Sequence, residues 1–138
     1  MARILALDYG EKRTGIAVTD ELQIIASGLT TVATPELLSF LKEYTSKESV
    51  ELIVVGQPKR MNNEFSDVES VILSFLEKLK EEIPNIPVKR IDERFTSKIA
   101  FQSMIDSGVK KKQRRRKELL DEVSATVILQ SYLYNKAR

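Results

Sequence analysis

The chain has 138 residues, 42% hydrophobic and 30% charged, which predicts one compact globular domain and excludes a disordered or two-lobed protein. It contains no Cys and no His, which excludes thiolate and imidazole metal sites, thiol chemistry, imidazole general bases and every Ser-His-Asp arrangement. Of the 22 basic residues seven fall in Lys110–Lys117, and the other 15 stand against 20 acids, so a net charge of +2 conceals a cationic run on an otherwise acidic chain.

Ile4–Leu7 is a short apolar run broken at Asp8-Tyr9-Gly10, and strand-like composition resumes at Thr14–Thr19 after Glu11-Lys12-Arg13; the pair predicts a hairpin. Asp20-Glu21 marks a second turn. Gln23–Val32 follows, β-branched and carrying Gly28, the usual sign of a bulge. Thr34-Pro35 predicts an N-cap with proline at the first helical position, and Leu37, Leu38, Leu41 and Tyr44 give an apolar stripe for a helix to about Lys47. Leu52–Val55 is continuously apolar up to Gly56-Gln57-Pro58, as expected of a strand in the sheet centre buried on both faces.

After a polar loop over 59–65, Ser66 and Glu69 have capping-box spacing. Val68, Val71, Ile72, Phe75, Leu76 and Leu79 then mark one face of a helix ending before Pro84. Pro87–Ile91 suits another strand. Thr96 or Ser97 can cap a helix to about Ser107, closed by Gly108, and the last element is a long helix from about Glu118 to Asn135. This order predicts a mixed five-stranded α/β sheet, three strands antiparallel and two parallel, with helices on both faces. There is no internal repeat. Absence of Cys fits a reducing compartment, and no secretion signal or run of roughly 20 apolar residues is present; the expectation is a cytoplasmic protein without a membrane partner.

Acids at three places end or begin elements in a way that suggests chemistry. Asp8 follows four apolar residues at the carboxyl end of the first strand, where an ionised group needs compensation from its own turn amides or from a metal. Asp92-Glu93-Arg94 follows the Pro87–Ile91 strand, and carboxyl ends of parallel strands converge. Side chains alternate along a strand, so Asp92 and Glu93 take opposite faces, and periodicity does not choose between them; a surface salt bridge to Arg90 or Arg94 is the alternative. Asp121 precedes Ser124, Ala125 and Ile128 at three-, four- and seven-residue intervals, the inward stripe of the last helix, although an acid in a first turn also suits the helix dipole.

Three carboxylates without a cation would repel one another, whereas hard divalent ions, Mg2+ or Mn2+, take oxygen ligands of this kind. Two such ions about 4 Å apart can activate a water and stabilise a leaving oxygen without a histidine base. The run Lys110, Lys111, Lys112, Arg114, Arg115, Arg116 and Lys117 suits a nucleic-acid backbone, and Arg90, Arg94 and Lys98 would extend that surface toward the acids. Gly10-x-x-x-x-Gly15 resembles the start of a P-loop but continues with Ile16-Ala17 where Lys-Ser/Thr is required. The Asp-x-Gly opening of two-lobed sugar-kinase-like ATPases demands a second lobe that 138 residues do not supply.

In chain order, Asp8-Tyr9-Gly10 with Arg13, Gly15 and Ala17, Val54-Val55-Gly56 with Pro58, Asp92-Glu93-Arg94 with Thr96-Ser97, and Asp121 with Ile128-Leu129-Gln130 and Tyr132-Leu133 resemble the bacterial YqgF/RuvX family over nearly the whole chain. The resemblance implies a ribonuclease-H-like domain over 1–138 and a nuclease role in maturing the 5′ end of 16S ribosomal RNA, with resolution of Holliday junctions as the older proposal for the family. It implies an acidic, metal-binding site of Asp8, Glu93 and Asp121, choosing Glu93 over Asp92. Arg13, within the first motif, joins the expected nucleic-acid-binding residues. RNA is the expected partner ahead of branched DNA, within ribosomal precursor particles, and the chain would act as a monomer or homodimer. A non-catalytic assembly factor with structural acids is the rival from another class. Gln57, where an apolar residue is expected, and Asn62-Asn63, where glycines are expected, depart from the family pattern.

Overall fold

A computed structural model describes residues 2–57, 69–92 and 117–137. Strands β1 (Arg3–Asp8), β2 (Arg13–Thr19) and β3 (Ala26–Ala33) form an antiparallel meander. A 3-10 turn over Thr34–Glu36 leads into α1 (Leu37–Lys47), then β4 (Val50–Gln57), α2 (Glu69–Glu82), β5 (Val88–Asp92) and α3 (Lys117–Ala137). The sheet order is β3-β2-β1-β4-β5, with β4 parallel to β1 and β5 parallel to β4. The expected loop over 59–65, the Ser66 cap and the helix from about Thr96 to Ser107 lie outside the described residues.

Alternation along the strands sorts the core into two layers. Leu5, Leu7, Ile16, Ile53 and Val55 point to one face and pack on Leu37 and Leu41 of α1 and on Ile72, Phe75 and Leu79 of α2. Ile4, Ala6, Ala17, Leu52 and Val54 point to the other and pack on Ala125, Ile128 and Leu129 of α3. Helices therefore cover both faces, as the sequence pattern predicts. Leu52–Val55 is buried on both sides, although β1 rather than β4 is the middle strand. Alanines at 6, 17 and 125 let α3 approach the sheet closely.

Local chemistry sets the joints. Ile16 pairs with Thr30 but Ala17 pairs with Gly28, which leaves Leu29 as the extra residue of a bulge beside the glycine that signals it. Thr34 does not cap the helix as expected: no side-chain cap is formed there. Its hydroxyl instead donates to the Gly10 carbonyl at 2.6 Å and lies 3.0 Å from the Thr14 hydroxyl, while its amide donates to Lys12. Competition for the hydroxyl by the β1–β2 turn explains the lost cap, and Pro35 alone presets the helical φ. Of the stripe expected on α2, Ile72, Phe75 and Leu79 are buried, whereas Val71 is exposed. Among the described residues no helix is long and apolar enough to cross a membrane.

Candidate active site

Asp8 is the last residue of β1, the middle strand of the sheet. Ile4 and Ala6 pack under α3, so alternation places Asp8 on the α3 face. Its neighbours across the sheet are small. Gly15 pairs directly with it from β2, and Gly56 follows Val55, the β4 partner of Leu7. A half-buried carboxylate thus stands at the carboxyl edge of the sheet with a glycine on each adjoining strand. Arg13 opens β2 with the same parity as Gly15 and Ala17, on the α3 face.

The turn beside Asp8 is held tightly. A Cβ on Gly10 would overlap the carbonyl oxygen of Arg13, so glycine is required for this close approach. Tyr9 turns to the opposite face, its ring 5.2 Å from that of Phe75. Burial, and secondarily the charge of Glu11, raises the Tyr9 phenol above its ordinary pKa, so it stays protonated at neutral pH.

Asp121 belongs to α3, the helix that covers the Asp8 face, one turn before Ala125 and two before Ile128. Lys117 is the first residue of the same helix. Glu93, Arg94, Lys98 and Lys110–Arg116 lie outside the described residues, and among those described no group of three acids forms a metal cluster. The structure therefore brings Asp8 and the Asp121-bearing helix to one face of the sheet, without describing the third acid.

Arg90 does not extend a cationic surface as the sequence suggests. Its guanidinium donates to Glu69 at 2.8 and 3.2 Å, to the Val55 carbonyl at 3.2 Å and to the Gly56 carbonyl at 3.0 Å. Gln57 donates to the same Glu69 carboxylate at 3.1 Å, which gives the unexpected residue before Pro58 a structural purpose. Only 7% of the Glu69 side chain is exposed, and a carboxylate buried that far requires such a partner. Reading Glu69 as the glutamate of a capping box misses this, because the partner is 21 residues away; a glutamate one turn before Ile72 on the buried stripe is the available signal.

A family model described as "RuvX: Holliday junction resolvase" matches residues 2–135. The chain belongs to the RuvX family. Relatives of this RuvX-family chain named "Putative pre-16S rRNA nuclease" include one from Christiangramia forsetii, 62% identical over 134 residues, covering 97% of this chain and 99% of the relative. Another, from Flavobacterium psychrophilum, is 58% identical over 136 residues and covers 99% of both. In structure the chain is similar to Thermus thermophilus RuvC in complex with Holliday junction substrate, with a TM-score of 0.60 at 17% identity over 99% of this chain and 96% of that one. A second structure of RuvC from the same organism gives 0.57 at 16% identity, covering 98% of this chain and 96% of that one. The shared architecture is the ribonuclease-H-like fold, with its mixed five-stranded sheet.

Proposed function

We propose that this RuvX-family chain is a metal-dependent endonuclease that hydrolyses phosphodiester bonds in the 5′-end maturation of pre-16S ribosomal RNA, the substrate in its relatives' printed name. The carrying observation is the position of Asp8: a carboxylate at the carboxyl end of the middle strand, between Gly15 and Gly56, on the face covered by the helix that bears Asp121. Glu93 completes the set in this reading. Lys89 lies over the Tyr132 ring of α3 and Ile91 packs in the α3 layer, so an odd-numbered acid has the parity for a site shared with Asp8, which favours Glu93 over Asp92.

The donors are all hard oxygens in a chain without His or Cys, a set that fits Mg2+ or Mn2+ rather than softer metals; Asp8, Glu93 and Asp121 would hold it. When bound, such a cation supplies an activated water at neutral pH and neutralises charge developing on the phosphate. The remaining work falls to the protein's own cations. Arg13, Arg94, Lys98 and the Lys110–Lys117 run hold the phosphate backbone and orient it across the sheet edge. The whole chain, 1–138, acts as one nuclease domain in the cytoplasm on ribosomal precursor particles, as a monomer or homodimer.

Replacing Asp8 with Asn keeps the shape and removes the charge. Cleavage of a precursor 16S RNA should fall by more than the roughly 10–100-fold that loss of an outer-sphere partner costs a metal site, while RNA binding in chelator persists. Undiminished cutting would remove Asp8 from the mechanism; no turnover by the unmodified chain with any divalent ion would leave a binding module. The family description and the RuvC-like fold favour a second reading, resolution of Holliday junctions. Preferential cutting of four-way DNA junctions over single-stranded RNA would establish it.

A further inference from the structure

Next to Asp8, on the other side of the sheet, is a groove of about 410 Å³ that neither core layer fills. Its wall is the Tyr9 ring with Phe75 beside it, its apolar lining comes from Pro35, Leu38 and Val71, and Glu11, Thr34, Ser74 and Lys78 supply polar groups. Val71 is 41% exposed here, although its place on α2 matches the apolar stripe of a buried helix face. The groove lies at the carboxyl ends of the parallel strands, where α/β sheets bind ligands.

We infer that this groove takes one unstacked nucleobase of the substrate strand, seated on Tyr9, while the phosphate backbone passes the sheet edge at Asp8. The inference rests on the nuclease reading above. Three features of the groove point to a base rather than a peptide or lipid. An aromatic face with flanking apolar side chains suits stacking, which binds any base because every base has a π-face. The carboxylate of Glu11 and a lone pair of the Ser74 hydroxyl, whose proton goes to the Ser70 carbonyl, offer acceptors to the exocyclic amine of a base edge. Lys78 adds a cation where a backbone phosphate would leave the groove. Adjacent Cα atoms are about 3.8 Å apart, so Tyr9 ties the groove to Asp8 rigidly, and the Thr34–Gly10 hydrogen bond fixes the same turn to the groove's far wall. A base held there excludes continuous duplex and selects single-stranded or frayed RNA.

The test uses the full chain in chelator, so that binding is read without cleavage. Val71→Glu puts a charge into the mouth of the groove at an exposed helix position, and Tyr9→Leu removes the ring; thermal melts check that both fold. Loss of one stacked base costs about tenfold in affinity. Fluorescence anisotropy should therefore show both variants binding a single-stranded RNA about tenfold more weakly, with affinity for a blunt RNA duplex unchanged. A single strand carrying 5-iodouracil should photo-crosslink to the peptide containing Tyr9 or Phe75. Equal affinities of Val71→Glu and the unmodified chain for the single strand, or a crosslink elsewhere only, would overturn the groove while leaving the nuclease reading intact. Failure of the unmodified chain to bind either RNA would instead overturn both.

Discussion

Asp20 shows how much one side chain organises. Its Oδ1 accepts hydrogen bonds from the amides of Ile24 and Ile25 at 2.7 and 2.9 Å, and its carbonyl accepts one from the Gln23 amide at 3.0 Å. Gln23 sits at φ 59°, a left-handed conformation unusual for a side-chain-bearing residue, and its side-chain Nε2 donates to the Ala2 carbonyl and to Glu51. The β2–β3 turn is thereby held firmly although Leu22, Ile24 and Ile25 are exposed. The amides of Ile25 and Ile24 lower the Asp20 pKa from its usual 3.8. A depressed folded-state pKa means the anion's contribution to stability is complete above the unfolded value and is lost as pH falls through the folded one. Asp20→Asn retains an acceptor but no charge, so its melting temperature at pH 7 should lie below that of the unmodified chain. The gap should narrow below pH 3.8 and close once the carboxyl is protonated. A gap independent of pH would show that charge plays no part.

At the scale of elements, the clasp from β5 to α2 and β4 is the feature with most at stake. Arg90 joins the Val55 and Gly56 carbonyls, near the end of β4, to Glu69, the first residue of α2, and Gly56 is the β4 residue that flanks Asp8. Removing one member of a buried pair strands the other. Arg90→Met should cost roughly 3 kcal/mol, the low end of the range for such pairs, because 19% of the Arg90 side chain remains in water. The double variant Arg90→Met, Glu69→Leu should recover much of that loss in urea denaturation, and its failure to do so would put the energy in the two carbonyl contacts. Sequence periodicity does not reveal this clasp. Strands, helices and the Gly28 bulge are legible because they depend on residues within one element. The Glu69–Arg90 pair and the Thr34 staple depend on partners 21 and 24 positions away, and short-range pattern reads Glu69 as a capping-box glutamate and Thr34 as an N-cap.

For the molecule as a whole, the two core layers explain which parts of the candidate site could be read beforehand. Asp8 and Asp121 stand out because each interrupts an apolar pattern, and the structure places the strand and the helix bearing them on one face. The choice of Glu93 over Asp92 comes from resemblance, since alternation alone separates the two acids without naming the face; Ile91, the last odd-numbered residue of β5, packs in the α3 layer, and Glu93 itself lies outside the described residues. Charge adds the last constraint. Seven cations in eight positions sit on a chain whose remaining charge is negative, so backbone attraction should be concentrated in that run. Each phosphate contact to a single strand contributes about 0.7 to the slope of log affinity against log salt. Replacing Arg114, Arg115 and Arg116 with Gln should therefore flatten the slope for single-stranded RNA by about 2, read by anisotropy between roughly 50 and 200 mM salt. The Tyr9→Leu variant, which removes a ring and no charge, should lose affinity at every salt concentration with the slope intact. If the triple Gln variant keeps the full slope, the phosphate backbone is gripped elsewhere, and the cationic run has no part in holding RNA at the Asp8 edge.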